Sequence, residues 1–337
     1  MDLELVFLDP QTISESQVKE VTETLSKAFT DFNTSVGAPQ EVVEEEFGHP
    51  EITPLAVAGI CKAYEGYAVV ERGDDGVGKI VGVSFVDVHA KGSKVATLGP
   101  VSSLVSGGGR KTFVAACEHA EKLGFSTLVL TVIAANTRSF SLYAKLGFQA
   151  KHVFQYVGGF LPEDTLSPPP SVSNDDGSGS GSGSGRVTVS DMATGDIEEC
   201  ADMFLTAHGR DCGWDRTADI AGSLAADFPF PKLVARDADG KLVGYSTGFF
   251  IIGHTVAKSI DVFIALFREG SRLHKQRGLP CPRFHCPVEF TRLLAWALAQ
   301  KELRVFRAMI MMSKGHYQHT TWSDDAEHIV APSSAGY

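Results

Sequence analysis

Long apolar runs are missing from this chain of 337 residues: none approaches the ~18 residues that a membrane span requires. The first ten residues, MDLELVFLDP, are acidic, and their apolar run is too short for a signal peptide. Basic charge is also scarce, because 30 Lys and Arg stand against 41 Asp and Glu, giving a net charge of -11. The sequence therefore predicts that neither a membrane nor a nucleic acid is the partner of this protein.

Cysteine is sparse as well, with six residues in the chain. Disulfide-dependent domains use cysteine more densely, so we expect reduced thiols and a cytoplasmic location. Four possible zinc ligands cluster in the segment HKQRGLPCPRFHC, namely His274, Cys281, His285 and Cys286. The spacing of the two cysteines is not that of a zinc finger or ribbon, so we predict no metal site and interpret the segment as a proline-rich insert.

Proline, glycine and serine are concentrated in residues 161–185, where the three consecutive prolines Pro168, Pro169 and Pro170 precede a Gly/Ser repeat. This composition is typical of a flexible linker, and it separates residues 5–160 from residues 186–332. Both parts contain a hairpin pattern, YAVVERGDDGVGKIVGVSF and KLVARDADGKLVGYSTGFF, and both contain a helix end that leads into an apolar strand. Matching Gly124 with Leu303 places the extra residues of the second part near 268–287. The chain is interpreted as two similar units in tandem.

The first unit alternates between helical and extended patterns. Periodicity predicts helix 16–32, hairpin 67–89, strand 94–103, helix 110–123, strand 126–134, helix 137–145 and strand 148–157. This order predicts an α/β fold in which helices flank a mixed sheet.

Three successive glycines, Gly107, Gly108 and Gly109, join a predicted strand to a predicted helix. The first turn of a helix has unpaired N–H groups and the positive end of the helix dipole, so a glycine run there can wrap a phosphate. Arg110 and Lys111 add positive charge. A Walker A loop and a Rossmann loop do not fit, because the first needs Gly-Lys-Ser/Thr and the second a third, spaced glycine. The alternative is a loop whose glycines provide flexibility alone.

Residues 136–148, NTRSFSLYAKLGF, together with the strand, glycine loop and helix before them, resemble the GNAT superfamily of N-acetyltransferases. The resemblance covers nearly all of residues 5–160 and implies that acetyl-CoA is bound. It assigns the cofactor to Gly107, Gly108, Gly109, Arg110, Lys111, Val101 and Asn136. It assigns the general acid to Tyr143, whose phenol stays protonated at pH 7 and can protonate a departing thiolate. The alternative for Tyr143 is a packing role.

The second unit also resembles a GNAT unit, and the whole chain resembles a tandem GNAT protein. No glycine loop precedes the helix expected at 288–300, so the second unit is not expected to hold CoA in the same way. Tyr317 follows its strand much as Tyr143 follows its own. The expected role of the second unit is to form a wall of the acceptor site.

Two functions remain open at this point. The first is N-acetyl transfer to a small-molecule or peptide amine, with His89, His152 or a water molecule as the base. The alternative for the two histidines is a surface position. Residues 44–49 are interpreted as a solvated helix face, and one acid among them is a candidate for the acceptor mouth. The second is a degenerate GNAT pair that binds a ligand or a partner without catalysis. It is favoured by Leu104, which stands where the family loop has Arg or Gln, and by a shorter span between Pro100 and Arg110. The oligomeric state is not predicted.

Overall fold

The computed structural model describes residues 3–38, 43, 52–73, 77–87, 93–162, 187–209, 214–225, 229–250, 253–317, 322–324 and 326–332. Its helices are α1 (Glu15–Ser35), α2 (Ile52–Ala63), α3 (Gly108–Lys122), α4 (Thr137–Lys145), α5 (Ile197–His208), α6 (Thr217–Ala225), α7 (Ile260–Gln276) and α8 (Thr291–Ala299). Its strands are β1 (Leu3–Leu8), β2 (Glu65–Arg72), β3 (Gly78–Asp87), β4 (Val95–Ser103), β5 (Thr127–Ile133), β6 (Gln149–Gly158), β7 (Thr188–Asp191), β8 (Leu233–Arg236), β9 (Leu242–Ser246), β10 (Thr255–Ala257), β11 (Arg283–Pro287), β12 (Arg304–Gly315) and β13 (Ile329–Ala331). No helix within these ranges is both long enough and apolar enough to cross a membrane.

Two sheets organise these elements. The larger sheet has the strand order β1-β2-β3-β4-β5-β12-β6-β11, and the smaller one has the order β13-β10-β9-β8-β7. The pair β4 and β5 is parallel, whereas the other neighbours in the larger sheet are antiparallel. The predicted α/β fold with a mixed sheet is confirmed.

The two halves of the chain exchange strands. β12 comes from the second half but lies between β5 and β6 of the first, with Met309 opposite both Ile133 and Phe154. β6 in turn lies between β12 and β11, so it completes the set of strands that belongs to the second half. Each half therefore has a strand of the other half inside its sheet. The predicted division into two units and a linker remains a prediction, because residues 163–185 lie outside the described ranges.

A fork opens between β4 and β5. The two strands pair only from Val95 to Thr97 on β4, opposite residues 127–129 on β5. Beyond this point β4 continues along β3, and β5 continues along β12 as far as Ile133. The carboxyl ends of the two strands therefore diverge, and among the described strands none lies between them. We name this opening the first fork; its apex is at Thr97.

The two faces of the first half have different coverings. One face carries α3, whose Phe113 packs with Leu98 and Tyr143. The other face carries α1 and α2, which cover Val83 and Phe85. Near β5 that second face merges with the core of the second half. The sheet of the first half thus lies between α3 on one side and α1, α2 and the second half on the other.

Two sequence predictions about the second half are wrong. Residues 268–287 are not an inserted loop, because they contain the end of α7 and the strand β11. The first half ends in the order α3, β5, α4, β6, and the second half has the same order in α7, β11, α8, β12. The counterpart of α8 is therefore α4, and matching Leu303 with Gly124 was incorrect. The backbone supports the new match, because the residues that cap α4 and α8, Asn136 and Phe290, both have φ -84° with ψ of 69° and 71°.

Candidate functional site

The glycine loop has a specific geometry. Gly107 precedes α3 with a φ of 84°, a left-handed conformation that favours glycine. A Cβ on Gly108 would lie 2.5 Å from Ser103 Oγ and 3.1 Å from Val105 Cγ2, so this turn packs against the end of β4 too closely for a side chain. Two of the three glycines are therefore required by backbone conformation and close packing, and flexibility alone does not account for them.

The amides of this turn point to no acceptor of the protein. Gly107 provides no side chain to cap α3. Within the described part of the chain, the N–H groups of Ser106, Gly107, Gly109 and Arg110 make no hydrogen bond, and the Gly108 N–H reaches Val105 O only at 3.4 Å. Unpaired donors at the positive end of a helix dipole attract an anion, most often a phosphate. The loop is thus chemically suited to a diphosphate.

The two cations of the loop differ. Arg110 is exposed and makes no ion pair within the described ranges. The Lys111 ammonium donates to the backbone carbonyl of Leu3, at the start of β1. Arg110 is therefore the side chain that stands ready beside the open amides, whereas Lys111 is held toward the edge of the sheet and contributes through its charge.

Buried hydroxyl groups lie on β3 and β4, near the first fork. Three buried hydroxyls there have no hydrogen-bond partner: those of Ser84, Thr97 and Ser102. Val101 lies opposite Ser84 on the face that carries α3. Buried polar groups are normally paired, so the orphaned hydroxyls of Thr97 and Ser102 on β4, the strand that borders the fork, fit a polar ligand that passes this strand. The fork and loop together suit an acyl-CoA, whose extended arm carries amides and whose diphosphate is anionic.

Asn136 and Tyr143 lie on α4. The Asn136 Oδ1 accepts the Ser139 N–H at 3.0 Å and so caps the helix, while its Nδ2 finds no acceptor among the described residues. The Tyr143 ring is buried 4.7 Å from that of Phe113 and 6.3 Å from that of Phe148. Burial raises the pKa of the Tyr143 phenol above its usual value, and a hydrogen bond with Ser139 opposes this in part. Tyr143 is therefore both a packing residue and a group that keeps its proton.

The remaining sequence candidates lie elsewhere or outside the described ranges. His152 Nδ1 is 2.9 Å from Glu289 Oε1, and its ring is 4.6 Å from that of Trp322. His89 and residues 44–49 are not among the described residues. Tyr317 lies just beyond the end of β12 and does not correspond to Tyr143, which is in a helix.

In the described part of the second half, the features of the glycine loop and of α4 are absent. The helix that corresponds to α3 is α7, and Ser259 caps it by accepting the Val262 N–H at 3.3 Å. On α8, Phe290 stands in the place of Asn136, and by the same spacing Ala297 stands in the place of Tyr143. The sequence itself contains these two differences, Phe290 for Asn136 and Ala297 for Tyr143, but they can be recognised only after α8 is matched with α4.

The place that corresponds to the first fork is also filled in the second half. β13 pairs antiparallel with β10, with Val330 opposite Val256. On its other side the carbonyl of Pro332 accepts a hydrogen bond from His285 Nδ1 of β11 at 3.0 Å. The segment from Ile329 to Pro332 thus bridges β10 and β11, and we name it the C-terminal plug.

Comparisons with known proteins bear on the fold. No protein-family model matches the chain, and no curated protein matches its sequence. A putative acetyltransferase from Pyrococcus horikoshii is similar in structure, with a TM-score of 0.61 and 12% identity over 99% of this chain and 96% of its own. A tandem GNAT protein from the clavulanic acid biosynthesis pathway has a TM-score of 0.57 and 14% identity, over 93% of this chain and 98% of its own. A GCN5-related N-acetyltransferase from Sphaerobacter thermophilus has a TM-score of 0.53 and 13% identity, over 95% of this chain and 98% of its own. These likenesses span both halves of the chain, which therefore has the fold of the tandem GNAT acetyltransferases.

Proposed function

We propose that this protein transfers an acetyl group from acetyl-CoA to the amine of a small molecule or peptide. The observation that carries the proposal is the set of uncapped amides at Gly107, Gly109 and Arg110, in the turn that follows β4, the strand that borders the first fork. The names of the similar structures, which are acetyltransferases, agree with it.

The residues present fit acetyl-CoA as follows. The amides from Gly107 to Arg110 and the Arg110 guanidinium would hold the diphosphate, and β4, including Val101, would border the arm. The Nδ2 of Asn136 would donate to the arm. Acetyl-CoA supplies an acyl thioester as the electrophile. Backbone N–H groups of β4 beyond the apex would stabilise the acyl oxygen, which becomes negative during attack.

The chain's own side chains favour direct transfer. Burial raises the pKa values of the Cys61, Cys117 and Cys200 thiols to about 12, so these thiols stay protonated and unreactive at pH 7. None of them is suited to carry the acetyl group as a covalent intermediate. The neutral amine would attack the thioester carbon directly and lose one N–H proton to water. As the C–S bond breaks, the Tyr143 phenol would donate its proton to the leaving thiolate.

Calorimetric titration with acetyl-CoA tests the proposal. We expect saturable binding of one molecule per chain, because the second half has a self-capped helix and a filled gap. Neither heat nor a thermal shift at millimolar acetyl-CoA would remove the proposed function. A second equivalent site would instead contradict the interpretation of the second half.

The loop can be tested by Gly109→Asp. A Cβ at Gly109 would lie 3.4 Å from Ser103 Cβ, an ordinary contact, so the substitution places a carboxylate among the amides with little effect on packing. We expect the Kd for acetyl-CoA to rise about tenfold or more, since like charges brought together in a binding site cost more than 1.4 kcal/mol. Gly109→Ala is the control and should keep the Kd within about threefold. Wild-type affinity in Gly109→Asp would show that the diphosphate binds elsewhere.

The alternative function, ligand binding without catalysis, predicts acetyl-CoA binding but no amine-dependent release of CoA. A thiol-release assay with spermidine, histamine, tyramine and a peptide with a free N-terminus separates the two. Release with at least one of these amines supports transfer, and binding without any release supports the non-catalytic alternative.

A further inference from the structure

A carboxylate lies at the apex of the first fork. Asp87 is the last residue of β3 and is directly opposite Thr97 of β4. Thr97 is also the last residue of β4 that pairs with β5, where its partner is Val129. Directly opposite residues of antiparallel strands project their side chains to the same face, so Asp87 and Thr97 are neighbours beside the point where the strands diverge.

The face can be identified from the next pair along the strands. Val86 and Leu98 are also opposite each other, and both lie in the core under α3 together with Tyr143. Because side chains alternate along a strand, Asp87 and Thr97 project to the opposite face, which carries α1, α2 and the second half. The Tyr143 phenol and this pair are therefore on opposite sides of the first fork.

Both side chains are buried, and one hydroxyl lacks a partner. Asp87 is 6% exposed and Thr97 is 3% exposed. The Thr97 Oγ1 makes no hydrogen bond with any residue that the structure describes. Burial of a polar group without a hydrogen-bond partner costs free energy, and this cost falls on the Thr97 hydroxyl. A donor held between the two would interact with the Asp87 carboxylate and the orphaned Thr97 oxygen at once.

The second half contributes charge to this place. The phenol of Tyr64, just after α2, has its pKa raised well above the usual value, first by burial and then by Asp87 and Asp219, while Arg216 opposes the rise. Arg216 is 4% exposed and pairs with Asp219, with Nε and Oδ2 2.9 Å apart. The geometry agrees with this, because Val129, the partner of Thr97 on β5, lies in the core that is shared with the second half.

We propose that Asp87 and Thr97 form the subsite that receives the acceptor as a positively charged amine, between the two halves of the chain. This inference rests on the proposed function. An ammonium group has three donors, which suit a carboxylate and a hydroxyl oxygen held side by side. Before attack the ammonium would lose one proton to a water molecule. The neutral amine would then form the C–N bond from one side of the first fork, while the C–S bond breaks and the leaving thiolate would take its proton from Tyr143 on the other side.

The test uses the full chain with Asp87→Asn and Thr97→Val, and spermidine, histamine and tyramine as probes. Two measurements are made: the melting temperature with each amine, with and without CoA, and the KM of each amine in the thiol-release assay. We expect at least one probe to stabilise the parent protein, and this stabilisation to be lost in Asp87→Asn. The KM of that amine should rise tenfold or more, with the acetyl-CoA Kd within twofold of the parent value, because charge-assisted hydrogen bonds are lost.

Thr97→Val tests the same subsite with a variant that should fold even if Asp87→Asn does not. It removes an unpaired hydroxyl while keeping the shape of the side chain, so its melting temperature should not fall, whereas its amine KM should rise. Asp31→Asn, an exposed carboxylate on α1, is the control and should change neither measurement. Parent-like amine binding in both Asp87→Asn and Thr97→Val, or no effect of any probe on the parent, would overturn the inference. If the parent protein does not bind acetyl-CoA, the proposed function is rejected instead. The changes in melting temperature that the amines cause without CoA would still test Asp87.

Discussion

Replacing Tyr143 with Phe is expected to lower kcat for acetyl transfer about 100-fold or more, because a positioned general acid contributes roughly 10²–10⁴ in rate. The ring contacts with Phe113 and Phe148 involve carbon atoms that phenylalanine retains, so the fold should be kept. The acetyl-CoA Kd is expected to stay within about twofold. Steady-state thiol release and calorimetry measure the two effects separately.

Tyr67→Phe provides the matched control for this prediction. Tyr67 lies on β2 on the same face as α3, with its ring 5.3 Å from that of Phe7 and 5.8 Å from that of His119. It is not part of the proposed site, and its variant should retain the parent rate. An unchanged rate in Tyr143→Phe would leave Tyr143 with its packing role alone and would dismiss it as the acid.

Separating the two halves is expected to abolish folding of the first half. Residues 1–162 alone lack β12, so β5 and β6 would lose the strand between them and expose two unpaired edges. We expect this fragment to be insoluble or to show no cooperative melting, whereas the full chain melts cooperatively. Circular dichroism and thermal melts of the purified fragment measure this.

Cutting the chain without removing β12 should have the opposite result. A protease site in place of residues 177–185 allows cleavage after folding, since the Gly/Ser composition there is typical of a flexible linker. The two pieces should elute together in size-exclusion chromatography and bind acetyl-CoA as the uncut chain does. Pieces that separate without denaturant, each still folded, would contradict the contribution of the strand exchange to stability.

Local structure in the first half could be predicted from the sequence because its signals are local. The helix over 137–145 was predicted with the bounds that α4 has, with an Asn cap before it and Gly147, φ 94°, after it. β1 and α2 were missed. Their windows carry no clear period, since β1 is apolar at every position except Glu4 and α2 is apolar over most of its length.

The strand exchange could not be predicted in this way. β12 is strongly apolar and pairs well with either neighbour, and nothing in a local pattern selects a partner that is far away in the chain. The same limit explains the wrong match between Gly124 and Leu303, since both positions connect a helix to an apolar strand. Only the order of the strands in the sheet identifies α8 and β12 as the counterparts of α4 and β6.

The glycine loop was recognisable because three adjacent glycines before a helix are a rare pattern. Asp87 was not recognised, because a single carboxylate at the end of an apolar strand matches no motif. Its position acquires meaning from its register with Thr97 and from the second half, which only the folded chain shows. The C-terminal plug was missed for the same reason, as three residues of extended chain carry little pattern.

The position of β12 in the chain also has a consequence for biosynthesis. The sheet that borders the first fork needs residues 304–315, which leave the ribosome only after residues 1–303. Until then the nascent first half has an incomplete sheet whose open edges invite association with other chains. We expect chaperones to bind this protein during synthesis and ligand competence to arise late and in one step, when β12 inserts between its two neighbours.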